Sequence, residues 1–190
     1  MNAARRVGPV RRRQAGYALL EAAVALLVLG LGLLGVAKTQ ALVLKSTYSS
    51  GQRSLVSLSA ASLAAAMEGN PAYWRGLARG RTTALTVSVT PASDGGVTLS
   101  QNDLTTATRD CSAGTCSTTE LAAYDLKAWA ANLQSQLGDA LIGASLVLQP
   151  PDGAGAVNAA LTIQWRENLP AIHGSTGGTS NQSLTHYVQP

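Results

Sequence analysis

The sequence predicts an α+β fold, in which a long N-terminal helix is followed by a head domain built on an antiparallel β-sheet with one extra helix. Three patterns support this prediction. They are an apolar run at residues 17–37, helical spacing of apolar residues up to residue 70, and period-two alternation within residues 71–190. We expect the apolar half of the helix to protrude and its amphipathic half to pack on the sheet.

The formal net charge of +4 over 190 residues originates in the first sixteen residues. That segment contains no acidic residue and five arginines, Arg5, Arg6, Arg11, Arg12 and Arg13. The remaining residues carry nine basic and ten acidic side chains, a net charge of −1. Because a nucleic-acid interface needs basic residues clustered on a folded surface, we expect no nucleic-acid partner.

The apolar run at residues 17–37 is long enough to cross a membrane. As an α-helix rising about 1.5 Å per residue it covers about 30 Å, the thickness of the hydrocarbon core of a bilayer. The arginines before it should stay in the cytoplasm under the positive-inside rule, so the residues from Lys38 onward are expected in the periplasm. The cysteines would then lie in an oxidising compartment.

The same segment also fits an ordinary secretory signal. Small residues, Gly35 and Ala37, stand where a signal peptidase needs them, and cleavage after Ala37 would release a soluble periplasmic binding protein. The arginine run equally fits a weak twin-arginine signal. Glu21 favours a retained helix, because an ionised carboxylate in an apolar segment costs several kcal/mol and a removable signal gains nothing from it.

The start of the apolar run carries a more specific pattern. Gly16-Tyr17-Ala18-Leu19-Leu20-Glu21 resembles the type IV prepilin cleavage motif, in which a basic leader ends in Gly and a Glu stands at the head of an apolar helix. The resemblance implies that a prepilin peptidase removes residues 1–16 by cutting between Gly16 and Tyr17, and that the new amine of Tyr17 is methylated. It also implies that Glu21 forms an assembly salt bridge with the N-terminal amine of a neighbouring subunit. Tyr17 stands where the family usually has Phe and keeps the aromatic ring, so we expect processing to survive.

Residues 38–70 predict an amphipathic continuation of the same helix. Apolar residues follow helical spacing on one face, at Leu44, Tyr48, Val56, Ala60, Leu63 and Met67. Gly69, Asn70 and Pro71 supply the stop, since Gly or Asn can adopt a left-handed conformation and Pro cannot continue the helix. We therefore expect the helix over residues 17–70 and the head over residues 71–190.

In the head, apolar and polar residues alternate with a period of two, as in the strands of a β-sheet with one buried face. Strands are predicted at residues 85–90, 143–149 and 157–166, the last two joined as a hairpin by residues 150–155. Residues 185–188 are expected to add a short last strand after a loop at residues 174–183.

One further helix is predicted between the strands. Ser117 and Glu120 have the capping-box spacing, and an apolar stripe that includes Trp129 runs on to Gly138. We interpret Trp129 and Trp165 as core anchors rather than as residues that stack on a ligand.

The chemistry-bearing residues are few. Cys111 and Cys116 enclose four residues, which is not the spacing of a redox-active pair, and no histidine lies near them to complete a zinc site. In an oxidising compartment we expect a structural disulfide, whose small ring stabilises the fold by only about 2 kcal/mol. His173 and His186 are the only histidines, and no nucleophile elbow, phosphate loop or metal signature occurs. We therefore expect no catalytic residue, no metal and no cofactor.

Several further stretches resemble minor pilins of the PilV kind, the type IV pilus modification proteins. They are Leu26–Gln40, Leu63–Pro71, the cysteine pair, Asp125–Trp129 and Leu161–Arg166. The resemblance implies a type IV pilin-like fold and a low-abundance subunit of a tip or priming complex. Its partners would be the prepilin peptidase, the other minor pilins and the major pilin.

The same resemblance implies a location and a role. The subunit would lie in the inner membrane through residues 17–37 before assembly, and in the pilus fibre or tip at the cell surface afterwards. It would promote pilus assembly, twitching motility and adhesion. A minor pseudopilin of type II secretion is the nearest alternative, because it shares the leader, the acid and the helix. Residues 76–110 match no motif, so a specialised binding role there stays open.

Overall fold

The computed structural model describes residues 17–92, 96–152, 155–169 and 178–190. It is an α+β structure with one long N-terminal helix and a five-stranded antiparallel sheet, which confirms the predicted fold class. The chain divides into two compact units between Lys45 and Ser46, a boundary inside the first helix. The C-terminal part of that helix therefore belongs to the same unit as the sheet. We call residues 46–190 the head unit.

Helix α1 (Tyr17–Gly69) is 53 residues long, rich in Ala and Leu, and free of proline. It ends at the predicted stop. The backbone N–H of Asn70 still donates to the carbonyl of Met67 at 3.1 Å, and its side-chain amide donates to the carbonyl of Thr118 at 2.7 Å. Pro71 has no N–H to donate, and it begins a second, unpredicted helix, α2 (Pro71–Ala78), at a position that favours proline.

The sheet consists of five strands in the order β2-β1-β3-β4-β5, and all neighbours are antiparallel. The strands are β1 (Leu85–Pro91), β2 (Val97–Leu99), β3 (Leu141–Leu148), β4 (Ala159–Leu169) and β5 (Gly178–Val188). The strands predicted at residues 85–90, 143–149 and 157–166 are confirmed as β1, β3 and β4, and β3 and β4 pair as the expected hairpin. Strand β2 was not predicted.

Strand β5 corrects one prediction. It is not a short strand at residues 185–188, because it pairs with β4 from Val188 opposite Ala159 to Gly178 opposite Leu169. The predicted loop at residues 174–183 is therefore strand from Gly178 onward, and residues 174–177 lie outside the described residues. The sequence of β5 is polar, and its extended form comes from the ladder with β4 rather than from local preference.

The predicted extra helix is confirmed as α4 (Thr118–Leu137). Its capping box is formed, since the Ser117 hydroxyl accepts from the N–H of Glu120 at 3.3 Å and the Glu120 carboxylate accepts from the N–H of Ser117 at 2.8 Å. Gly138 ends it with a φ of 53°, a left-handed value that favours glycine, and a short 3₁₀ turn follows. A one-turn helix, α3 (Asn102–Thr106), is additional to the prediction.

One hydrophobic core holds the head unit together. Helix α1 contributes one face of its second half, through Val56, Ala60, Leu63 and Met67. Helix α4 and the sheet contribute Leu126, Trp129, Leu133, Val87, Leu146, Leu161, Ile163 and Trp165. Each fully buried Leu, Ile, Val or Met stabilises the fold by about 1.5–3 kcal/mol, so this face binds the helix to the sheet. Trp129 and Trp165 are buried, as their interpretation as core anchors requires.

Candidate functional site

The described part of the N-terminal unit, residues 17–45, is a single stretch of α1, and its side chains are exposed on all sides over residues 18–41. Its most apolar 18-residue window has a mean hydropathy of 2.4, and none of that window is buried. From Leu19 to Val36 the exposure of the large apolar side chains ranges from 52% at Val36 to 75% at Leu19. Exposing apolar surface to water costs about 25 cal/mol of free energy per Å². This stretch would therefore be stabilised by contact with lipid or with other protein surfaces. By length and composition it can cross a membrane.

Glu21 is the fifth residue of α1 and its side chain is exposed within this apolar stretch. The next basic residue along the helix is Lys38, which is about 25 Å further along the axis at about 1.5 Å per residue. Within the described part of the chain Glu21 forms no hydrogen bond or ion pair. A cation for this carboxylate therefore has to come from outside the described residues.

The predicted cleavage site is described on one side only. Tyr17 is the first residue of α1, and Gly16 lies outside the described residues. Cleavage between Gly16 and Tyr17 and methylation of the Tyr17 amine stay predictions. The start of the helix at Tyr17 means that the residue expected to become the N-terminus would also be the first residue of the helix.

The two cysteines lie in an exposed loop that leads directly into α4. The sulfur atoms of Cys111 and Cys116 are 2.09 Å apart, and their Cα atoms are 5.8 Å apart, so the pair is a disulfide in this structure. Just before it, hydrogen bonds from the hydroxyl and the N–H of Ser112 hold the pKa of Asp110 below its usual range. The loop is thus closed by local bonds. Oxidation of the pair in its native compartment stays a prediction.

The head unit also contains a buried carboxylate that receives four hydrogen bonds, and we call this group the Glu167 cluster. Its Oε1 accepts from Nε of Arg53 and from the indole N–H of Trp165, both at 3.0 Å. Its Oε2 accepts from Nη2 of Arg53 and from the hydroxyl of Ser49, also at 3.0 Å. Nη2 of Arg53 reaches Gln182 of β5 at 3.4 Å as well. The cluster therefore joins α1 to β4 and β5.

The electrostatics of the Glu167 cluster favour the ionised form. The hydrogen bonds from Arg53 hold the pKa of Glu167 below its usual range, and those from Trp165 and Ser49 add to this, although burial opposes it. The same pair raises the pKa of Arg53. The Glu167 side chain is 1% exposed and that of Arg53 is 55% exposed, so the acid is buried while its cation partly reaches water.

Sequence reasoning missed Glu167, although a signal was present. Period-two alternation places Leu161, Ile163 and Trp165 on the buried face of β4, and the next position on that face is Glu167. A buried acid requires a partner, and nothing in the sequence alone selects Arg53 among the nine basic residues that follow the leader.

A second polar contact in the head unit joins α2 to α3. The Tyr73 hydroxyl of α2 donates to the Asp103 carboxylate of α3 at 2.7 Å, and the Tyr73 ring packs edge-on against Trp74 at 5.0 Å. Burial, helped by the bond to Asp103, raises the pKa of Tyr73 well above its usual range. Among the described residues no group of three or more His, Cys, Asp or Glu is placed to hold a metal ion. His186 lies in β5, and His173 is outside the described residues.

Comparisons with protein-family models, with curated proteins and with solved structures found no match for this chain. Its function has to be argued from the residues themselves.

Proposed function

We propose that this chain is a minor pilin of the type IV pilus, made as a prepilin and placed in a tip or priming complex that promotes pilus assembly, twitching motility and adhesion. One observation carries the proposal. The motif Gly16 to Glu21 stands at the start of a helix that is apolar and exposed over residues 18–37 and that buries one face of its second half in a head unit. A pilin-like fold has these two parts, and the proposal gives each a role.

The exposed half of α1 would serve two environments in turn. Before assembly it spans the inner membrane, with the arginine-rich leader in the cytoplasm and the head in the periplasm. After assembly the same apolar surface packs against the helices of neighbouring subunits. Both environments remove the exposed Leu and Val side chains from water, so extraction from the lipid costs little free energy.

Glu21 would set the register of this packing. After cleavage the amine of Tyr17 becomes a new cation at the start of the helix. Within one subunit this amine points away from a side chain one turn further on, whereas a staggered neighbour can bring its amine to Glu21. A buried charge without a partner is costly, so registers that leave Glu21 unpaired are disfavoured.

The mature N-terminus provides the test. The full chain is expressed in cells that contain a prepilin peptidase, isolated from membranes, and analysed by mass spectrometry. We expect a chain that begins at Tyr17 and carries one N-methyl group. A chain that begins at Lys38 would instead show a cleaved secretory signal and would overturn the proposal, as would an uncleaved chain in cells that process their other prepilins.

The second candidate, a minor pseudopilin of type II secretion, requires a separate experiment because it shares the motif and the helix. Deletion of the gene should reduce the number of surface pili and the rate of twitching while leaving exported-enzyme levels in the medium unchanged. The opposite outcome, normal pili with lost secretion, would assign the chain to the secretion system. A catalytically inactive peptidase strain serves as a positive control for both readouts.

A further inference from the structure

A groove of about 250 Å³ runs between α1 and α4 within the head unit. On α1 it is lined by small side chains, Ser59 and Ser62 among them, and on α4 by Asp125, Trp129 and Asn132. The α4 residues are spaced four and three apart, so they share one side of that helix.

Hydrogen bonds fix one wall of the groove. The indole N–H of Trp129 donates to the carbonyl of Ser59 at 2.8 Å, and the hydroxyl of Ser62 donates to the same carbonyl, also at 2.8 Å. Trp129 is 8% exposed, so its ring is anchored in the core while it lines the groove. The shape of the groove is therefore set by the fold before anything binds.

Asp125 is the unexplained group of this groove. Its side chain is partly buried, and within the ranges that the structure describes it forms no hydrogen bond or ion pair. The nearest basic residue on α4, Lys127, is engaged elsewhere, because its ammonium group donates to the carbonyls of Thr105 and Ala107 at 3.0 and 2.5 Å. Burial raises the pKa of Asp125. A partly buried acid without a protein cation is therefore open to pairing with a cation from another molecule.

We propose that this groove is a docking site for one basic side chain, the ammonium group of a lysine or the guanidinium group of an arginine, carried by a partner protein. Charge complementarity to Asp125 selects a cation. The groove, at about 250 Å³, is smaller than the roughly 300–1,000 Å³ of pockets that hold whole small-molecule ligands. Its size suits a single inserted side chain.

This inference rests on head-unit residues alone and holds whether or not the chain is a pilin. It also gives a role to Asp125, a residue that the proposed function leaves without one. A basic side chain that pairs with Asp125 would regain the free energy that burial of the acid costs, and it would do so only when the partner is seated.

The experiment uses the full chain, labelled with ¹⁵N in detergent micelles, and follows the indole N–H resonances. The probes are capped lysine and capped arginine, the N-acetyl, N-methylamide forms, with capped glutamine as the neutral control. We expect a saturable shift of the Trp129 resonance with a Kd of about 1–10 mM for a basic probe. The resonances of Trp74 and Trp165, which do not line the groove, should stay in place.

Three variants sharpen the result. Asp125→Asn should weaken binding of the basic probe at least tenfold. Ala128→Phe, which fills the groove from an exposed position, should abolish the shift of the Trp129 resonance. Asp139→Asn, which removes an exposed acid outside the groove, should change nothing. Asp125→Asn should also melt at the same temperature as the wild type or higher, because the acid has no partner to lose.

Several outcomes would overturn the inference. They are the absence of a saturable shift, an equal response to capped glutamine, unchanged affinity in Asp125→Asn, or a lower melting temperature for that variant, which would make Asp125 a structural residue. None of these readouts involves processing or pilus assembly. Failure here therefore leaves the proposed function to its own test.

Discussion

Residues 17–45 and residues 46–69 belong to one helix, but the two halves expose their residues differently. The first half buries no side chain of its most apolar window, while the second half buries one face in the core of the head unit. Their polar contacts differ in the same way. Glu21 forms no hydrogen bond or ion pair with any residue that the structure describes, whereas Arg53 meets Glu167 through two hydrogen bonds. The head unit satisfies this buried charge internally, and the first half leaves both its apolar surface and its acid to other molecules.

The largest expected effect concerns processing of the first half. Gly16→Leu should abolish cleavage, because the motif ends its leader in glycine and a branched side chain would obstruct the peptidase. Full-length precursor should accumulate in the inner membrane, as measured by mass spectrometry of the membrane fraction. Tyr17→Phe is the matched control and should be cleaved as efficiently as the wild type. Normal maturation of Gly16→Leu would refute the assigned site.

A smaller effect is expected from the acid of the first half. Glu21→Ala should be cleaved normally but enter fibres or the priming complex about tenfold less, since lost pairing removes about 1.4 kcal/mol or more of register specificity. Quantitative immunoblotting of sheared pili and of cross-linked complexes measures incorporation. Glu68→Ala removes an exposed acid at the other end of the same helix and should assemble normally. Equal incorporation of both variants would show that pairing of Glu21 is irrelevant to assembly.

In the head unit the buried acid is Glu167, and its replacement should affect the stability of the fold rather than assembly. Glu167→Gln keeps the shape of the side chain but removes its charge and replaces one accepting oxygen by a donating amide, so we expect the free energy of unfolding to fall by about 2–3 kcal/mol. All three tryptophans lie in the head unit, so fluorescence during denaturation of the full chain in micelles reports that unit. Arg166→Gln, an exposed neighbour outside the cluster, should shift the midpoint little. A similar loss in both variants would contradict a specific role for the cluster.

Lowering the pH should reproduce part of this loss of stability in the wild type. The pKa of Glu167 is lowered by folding, so its contribution is present above the unfolded value of about 4.3 and is lost as the pH falls through the lower folded value. The wild type should therefore lose its advantage over Glu167→Gln below about pH 4. Denaturation midpoints of both proteins between neutral and acidic pH measure this. If the difference in midpoint between the two proteins stayed constant down to the lowest pH, ionisation of Glu167 would be excluded as the cause of that difference.

The smallest effect belongs to the disulfide loop. Replacing Cys111 and Cys116 together by Ala should destabilise the head unit by at most about 2 kcal/mol, because the ring they close is short. Denaturation with and without a reducing agent measures the difference. With the reducing agent, the denaturation midpoint of the wild type should shift to that of the variant, and the midpoint of the variant should stay unchanged. Free thiols in protein isolated from the periplasm would contradict the predicted oxidation.

The sequence predicted those elements whose signals are local. The capping box of Ser117 and Glu120, the stop at Asn70 and Pro71, and the alternation of β4 were each readable within one stretch of chain. The same holds for the apolar run of α1. Each depends on neighbours within a turn or two of backbone, so each could be recognised without knowledge of the tertiary fold.

The elements that were missed depend on contacts between distant residues. The polar first half of β5 becomes strand because it pairs with β4, and α2 begins immediately after a helix stop because Pro71 favours a first helical position. The burial of Glu167 was implied by alternation, but its partner Arg53 is 114 residues away in sequence. Asp125 was noticed only as part of a resemblance. The absence of a partner for its carboxylate could be established only from the fold.

The position of the Glu167 cluster along α1 has a mechanical consequence. Ser49 and Arg53 precede the stretch from Val56 to Met67 that lies in the core. A pull on the N-terminal half of the helix would therefore load the bonds to Glu167 before it loads the apolar contacts. Because Arg53 donates to both carboxylate oxygens and Glu167 lies near the C-terminal end of β4, the tension would pass into β4 where it pairs with β5.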